Sequence, residues 1–376
     1  MMAYGPGAIT RLPAILRDLG AERVLLLTGR GSFEASGASA VMPALEAHAR
    51  VERWSDFATN TDSADLAVGL DLNRRFNPDA IVAIGGGSVL DMAKLLAGYH
   101  DVDPGETITA VEAGRPAASR AARLVLAPTT SGSGAEATHF AVVYVGEAKH
   151  SIAGPAMRAD AIVLDPSLTR SGSSYQRATS GIDAVAQAIE SLWATGATPG
   201  SRRFARRGLG LALRSIEGFV ADADDRSARG MALGSHLAGR AIDVSKTTAA
   251  HALSYAITKR YGVSHGHAVA LTLGAFLADH ADAEPSALQP GVDPAAHAEA
   301  MADILAALDA ADGLGAHARW HALLDRLGLD KRLRDVGVGG QEELVALAES
   351  VNVERLGNNP VVYDCDGLVR LLSRVR

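Results

Sequence analysis

Residues 246–271, KTTAAHALSYAITKRYGVSHGHAVAL, set His251, His265 and His267 among small and apolar residues, with Lys246 and Tyr255 close by. Imidazole ligates transition metals and also carries protons near neutral pH. His251 lies on a helical pattern, and His265 opens the next element at SHGHA. A helix, a turn and a second helix can bring both rings to one point. Ordinary helix packing is the alternative that spacing alone leaves open.

Upstream, GIDAVAQAIES places Asp183 and Gln187 four apart, on one face of a helix. Asp183 sits among apolar neighbours, and a buried carboxylate there requires a cation or hydrogen-bond donors. One Asp with two His is a reasonable ligand set for Fe(II) or Zn(II) with positions left for a substrate oxygen. The other reading of Asp183 is a cap or a satisfied polar residue.

A different chemistry is written earlier in the chain. Gly85, Gly86, Gly87 and Ser88 fall where an apolar run turns into a helical pattern, with Asp91 and Lys94 on the first turns. Glycine lets backbone approach a diphosphate, and a helix N-terminus presents free N–H groups to it. A tight turn without a ligand reads the same way, and this is not the GxGxxG fingerprint. A second small-residue loop, PTTSGSGAEAT, offers Thr129, Thr130 and Ser131 as hydroxyls for a sugar or phosphate. Taken alone, it is equally a plain connection.

The elements that must position these residues divide into two halves. Apolar runs at 23–29, 79–87, 123–130, 140–146 and 160–166 alternate with helical patterns at 63–76 and 88–99, which predicts a parallel, doubly wound sheet. Beyond about residue 172 the strand signals stop and successive helices follow. The division is therefore an α/β domain over 1–172 and an all-helical domain over 173–376, with 279–300 a loop or loose linker. Net charge is −7 with no basic block, which argues against nucleic acid or an anionic membrane as partner. One cysteine, Cys365, excludes a disulfide framework and a cysteine metal site. No signal-peptide pattern opens the sequence and no apolar run approaches the roughly 20 residues that span a bilayer, so a cytoplasmic protein is expected.

GGGSVLDMAK, PTTSGSGAE, GIDAVAQAIES and HALSYAITKRYGVSHGHAVAL, in this order and spacing, resemble the iron-containing (group III) alcohol dehydrogenases. The resemblance covers nearly the whole chain. It implies a Rossmann-like N-terminal domain, a helical C-terminal domain of the dehydroquinate synthase-like kind, and a nicotinamide cofactor in the cleft between them. It places Asp183, His251 and His265 on three of the family's four metal-ligand positions. Gln187 falls where many members carry a histidine ligand, so the fourth bond is an amide oxygen or is left to water. Tyr255 replaces a further histidine near the nicotinamide, which moves proton transfer to Tyr255 or His267.

THFAVVYV, SKTTAAHALSY and SHGHAVALTL are most similar to the phosphonoacetaldehyde reductase branch, which implies NAD(P)H-linked reduction of a phosphonate-bearing aldehyde. Gly29 stands where NAD-preferring relatives carry an Asp on the ribose, and Arg30 and Ser32 suit a 2′-phosphate, so NADPH is expected, with NADH also open. Lys149 would serve the nicotinamide ribose or the substrate. The substrate anion is assigned to Lys246, Thr247 and Thr248, read as the N-terminus of the helix carrying His251, with His139 adding a donor. The bland reading is a helix cap beside a solvated lysine. A homodimer is the one assembly considered. The alternatives are a maleylacetate-like or general alcohol dehydrogenase, a dehydroquinate synthase-like lyase, and a nucleotide-binding protein without catalysis.

Overall fold

The computed structural model describes residues 1–351 and 356–376. The chain forms two compact units, one of Met1–Gly172 with Asp224–Ala232, the other of Ser173–Ala223 with Leu233–Arg376.

The first unit is built on β1 (Met2–Tyr4), β2 (Arg23–Thr28), β3 (Arg50–Trp54), β4 (Ala80–Gly85), β5 (Arg123–Pro128) and β8 (Ala161–Leu164). All six pair in parallel in the order β1-β8-β5-β4-β2-β3. Strand side chains alternate between faces, and here both faces are apolar. Leu25, Leu27, Ile81, Ala83, Leu124 and Leu126 enter one core cluster. Val24, Leu26, Val82, Ile84, Val125 and Ala127 enter the other. Burial on both sides explains why β2, β4 and β5 read as continuous apolar runs. Strand order reverses between β2 and β4, the switch point at whose carboxyl ends such sheets bind ligands.

Three corrections to the sequence reading arise here. The run 140–146 is not a strand of the parallel sheet. It forms β6 (Phe140–Val145), which pairs antiparallel with β7 (Ala148–Ala153) in a separate two-stranded sheet. The two-residue turn at Gly146 and Glu147, with Gly146 at φ 57°, permits only a hairpin. β3 carries no apolar run, because RVERW is an edge strand with one buried residue, Trp54. The segment 279–300 is mostly ordered: one helix continues to Ala281, and another starts at Pro294 behind the Asp293 cap, whose carboxylate accepts from Ala295 N–H.

The second unit is helical, with no strand among its described residues. Ser174–Trp193 lies at its centre, started by a Ser173/Gln176 capping box and almost wholly buried from Ala178 onward. Ala249–Tyr261 follows and stops at Gly262 in the left-handed conformation, φ 69°. His265–Ala281 begins three residues later. Among the described residues no helix is long and apolar enough to cross a membrane.

Candidate functional site

Three side chains from three helices meet in the second unit. Asp183 comes from the middle of Ser174–Trp193, His251 from the first turn of Ala249–Tyr261, and His265 is the first residue of His265–Ala281. One ligand atom of each lies within 4.8 Å of the others. Asp183 Oδ1 is 3.4 Å from His251 Nε2 and 4.0 Å from His265 Nε2. Asp183 and His251 are buried, whereas the His265 side chain is 39% exposed. The cluster therefore opens on the His265 side.

Close approach of two helices makes this possible. A Cβ at Gly266 would sit 2.0 Å from the Thr179 carbonyl oxygen and 2.7 Å from Asp183 Cβ. Only glycine lets the N-terminus of His265–Ala281 rest against the helix bearing Asp183. Ser254 Oγ lies 3.2 Å from His265 Nδ1, and the Tyr255 ring stacks on His265 at 5.9 Å between centroids and 16° between planes. His265 is thus steered from one side by a hydroxyl and from the other by an aromatic face.

The residues fit a divalent ion on their own chemistry. Gln187 donates through Nε2 to Asp183 Oδ2 at 3.0 Å, which fixes its amide and leaves Oε1 buried with no hydrogen-bond partner. His251 Nε2 is buried and equally without a hydrogen-bond partner. Buried polar atoms that find no protein partner imply something else that satisfies them. One carboxylate and two imidazoles, with a neighbouring amide oxygen, are the donors of an Fe(II) or Zn(II) centre.

Glu190, which sequence reasoning missed, organises this centre. It stands seven residues after Asp183 on the same helix and is fully buried. Its carboxylate accepts from Thr248 N–H at 3.2 Å, Thr248 Oγ1 at 2.8 Å, Ala250 N–H at 3.0 Å and His251 N–H at 3.3 Å. It also contacts His251 Nδ1. Burial opposes its charge, but the His251 ring and the Thr248 donors outweigh burial and hold the carboxyl below its usual range. The available signal was its place on the Asp183 and Gln187 face inside an apolar run.

This contact closes the helix end that the sequence reading offered to a substrate anion. The N-terminus of Ala249–Tyr261 is already filled by the Glu190 carboxylate, so its N–H groups are not available to an external anion. Thr248 is fully buried, and its hydroxyl also accepts from Trp193 Nε1 at 3.0 Å. Lys246 adopts φ 61° just after the Asp225–Ser245 helix, and Asn358 Nδ2 donates to the flanking carbonyls of Ser245 and Thr247. These residues make a chain reversal between helices.

His267 also has protein partners. It is buried, with Nε2 2.9 Å from the Asp330 carbonyl and Nδ1 3.3 Å from Tyr175 Oη. Both ring nitrogens are thus engaged, which ties the start of the His265–Ala281 helix to Asp330 and Tyr175.

The first unit carries the nucleotide candidates. Gly85 and Pro128 are register partners at the carboxyl ends of β4 and β5, so the two small-residue loops leave the sheet side by side. A Cβ on Gly85 would come within 2.5 Å of Val89, and one on Gly86 within 3.5 Å of Thr130. Gly87 opens the Gly87–Gly98 helix. The hydroxyls of Thr129 and Ser131 are buried there without hydrogen-bond partners. Ser88 Oγ accepts from Asn60 N–H at 3.1 Å. Asp91 accepts from Val142 N–H at 3.1 Å and anchors the hairpin to this helix, and burial raises its carboxyl pKa although Lys94 opposes. His139 immediately precedes β6, and Lys149 on β7 is the register partner of Tyr144 on β6.

At the carboxyl end of β2, a Cβ on Gly29 would lie 2.1 Å from Ser32 Oγ. Arg30 pairs with Asp56 at 2.6 Å, both exposed. The guanidinium expected to await a 2′-phosphate is thus already faced by a carboxylate.

A doubly wound sheet with small-residue loops at its switch region, and a helical unit with a carboxylate and two imidazoles, define a metal- and nucleotide-dependent enzyme. The comparisons agree. The profile "Iron-containing alcohol dehydrogenase" matches residues 1–166, and "Fe-containing alcohol dehydrogenase family, C-terminal" matches residues 177–375. The chain belongs to the iron-containing alcohol dehydrogenase family. It is 34% identical to the phosphonoacetaldehyde reductase of Streptomyces viridochromogenes, over 99% of this chain and 95% of that one. It is 32% identical to a choline dehydrogenase of Bacillus subtilis, over 73% and 69%.

Among solved structures, the sulfoacetaldehyde reductase of Bifidobacterium kashiwanohense in complex with NAD+ superposes with a TM-score of 0.88 at 24% identity, covering 100% of this chain and 96% of that one. The iron-containing alcohol dehydrogenase of Thermococcus thioreducens gives 0.87 at 23%, covering 100% and 97%. These two likenesses show the shared fold. The protein is an NAD(P)-dependent alcohol dehydrogenase or aldehyde reductase of a family implying iron and NAD(H).

Proposed function

We propose that this enzyme reduces a short aldehyde carrying a tetrahedral oxyanion, with phosphonoacetaldehyde giving 2-hydroxyethylphosphonate as the reaction. The similarity to a phosphonoacetaldehyde reductase along 99% of the chain carries this reading. A reduced nicotinamide held at the small-residue loops would supply the hydride for the carbonyl carbon, and the carbonyl oxygen would take up one proton. Asp183, His251 and His265, with the unpartnered Gln187 Oε1, would hold a divalent ion, which would supply Lewis-acid polarisation of the carbonyl oxygen.

The chain's own residues do the rest. Glu190 orients His251, Gln187 orients Asp183, and Ser254 with Tyr255 orients His265. Substrate enters on the half-exposed His265 side, and Tyr255, stacked on that ring, borders the entry. Gly85–Ser88 and Thr129–Ser131 cradle the cofactor phosphates, and Lys149 and His139 are the cationic or donor groups proposed to face the nicotinamide ribose or the substrate anion.

The test compares kcat/KM for phosphonoacetaldehyde, sulfoacetaldehyde and propanal on the iron-loaded enzyme, followed by cofactor absorbance. The expected result is a preference for phosphonoacetaldehyde over propanal of about tenfold or more, the worth of one or two charge-assisted contacts. A preference for propanal ends the oxyanion reading, and a preference for sulfoacetaldehyde reassigns the anion.

A further inference from the structure

The Gly313–Arg326 helix carries a second pair of imidazoles, separate from the cluster at Asp183. His317 and His321 are four residues apart, hence one turn apart on the same face. Their ring centroids lie 4.1 Å apart with planes at 48°. Neither side chain makes a hydrogen bond or ion pair with the described residues. Both rings are partly exposed, so their nitrogens are open to water or to another ligand except where the protein buries them.

The pair is also held in place. His317 Nδ1 is buried without a partner, and a Cβ on Gly274 of the neighbouring helix would come within 3.2 Å of it. The ring is therefore seated by its Nδ1 edge, and Nε2 is the nitrogen left to the open side.

We propose that His317 and His321 form a bidentate site for an imidazole-preferring divalent transition metal ion, Cu(II), Ni(II) or Zn(II), with water completing the coordination. Asp325, one turn further along the same face, supplies local negative charge while paired with Lys331 at 2.8 Å. Lys331 and Arg332 repel a cation, and two protein ligands bind less strongly than three. The site is accordingly weaker than the one at Asp183, and it takes metal only after that centre is filled.

The experiment is calorimetric titration of Ni(II) into enzyme whose Asp183 centre already holds Zn(II), with released Zn(II) measured in parallel. Wild type is expected to take up one Ni(II) without releasing Zn(II), and Ni(II) is expected to raise its unfolding midpoint. In His321→Ala and in His321→Gln that uptake weakens by about tenfold or more, the midpoint no longer responds to Ni(II), and reductase activity and the metal-free midpoint match wild type. Three results overturn the proposal: no Ni(II) uptake by wild type, Zn(II) released in equal amount, or wild-type Ni(II) affinity in either variant.

Discussion

Glu190 and His251 are in direct side-chain contact in the buried interior, and the same carboxylate closes the N-terminus of the helix on which His251 rides. One residue thereby sets both the position of the helix end and the tautomer of the ring. With Nδ1 engaged by Glu190, only Nε2 of His251 is presented towards Asp183.

Glu190→Gln keeps an acceptor but places an NH2 among groups that all donate, and it removes the charge that fixes the ring. Metal affinity is expected to fall by about 10- to 100-fold. The chelator concentration that halves bound metal measures this. An unchanged midpoint would show that His251 is oriented by other contacts.

Metal uptake carries a pH signature. Burial works against charge on His251, but Glu190 and Asp183 together raise its pKa to about 9 in the metal-free protein. An incoming ion displaces that proton, so apparent affinity should climb about tenfold per pH unit up to about pH 9 and then level. Because the folded pKa exceeds the ordinary 6.5, the associated stability is complete below pH 6.5 and is lost as pH rises through about 9. His251→Ala should abolish high-affinity metal binding and flatten the affinity profile. Metal retained at wild-type affinity in this variant would remove His251 from the ligand set.

Cofactor choice is expected to depend on the pairing of Arg30 with Asp56. A carboxylate at that position accepts from a ribose 2′-hydroxyl and repels a 2′-phosphate. NADH should therefore be used well, and Asp56→Asn should raise the NADPH to NADH ratio of kcat/KM by about two- to fivefold, the range for one exposed charge contact. Arg30→Ala should lower the ratio. If neither variant moves it, the discriminating contact lies elsewhere.

Acid sensitivity should arise from His280 and His297. His280 is buried beside His297, with Nε2 3.1 Å from Asn359 Nδ2. Burial holds His280 well below 6.5, the neighbouring His297 adds to that, and burial lowers His297 as well. Both stay neutral when folded and take protons when unfolded. Stability from this pair is complete above about pH 6.5 and falls below it, with a limiting slope of about 2.7 kcal/mol per pH unit for two protons. Denaturant unfolding between pH 5 and 8 measures the slope, to which His321, held down to about 4 chiefly by burial, adds a third proton, and His280→Gln should lower it by one proton's share, about 1.4 kcal/mol per pH unit. An unchanged slope would assign the acid response to other groups.

Much of this protein is legible in one dimension, because the relevant physics is local. β2, β4 and β5 announce themselves as apolar runs since both their faces are covered. Asp183, Gln187, His251 and His265 are recognisable from residue type, helical spacing and motif order. What the tertiary structure decided is where long-range partners meet. The edge strand β3 has one buried face position and so carried little pattern, and β6 was diverted from the sheet by a two-residue turn. Thr248 reads as an open helix start until a carboxylate from 58 residues upstream occupies it. His267 reads as a proton carrier until the Asp330 carbonyl and Tyr175 claim both nitrogens. A helix period tells which residues share a face. Only packing tells which buried donor a distant acceptor has already satisfied, and that decides whether a polar group is left over for chemistry.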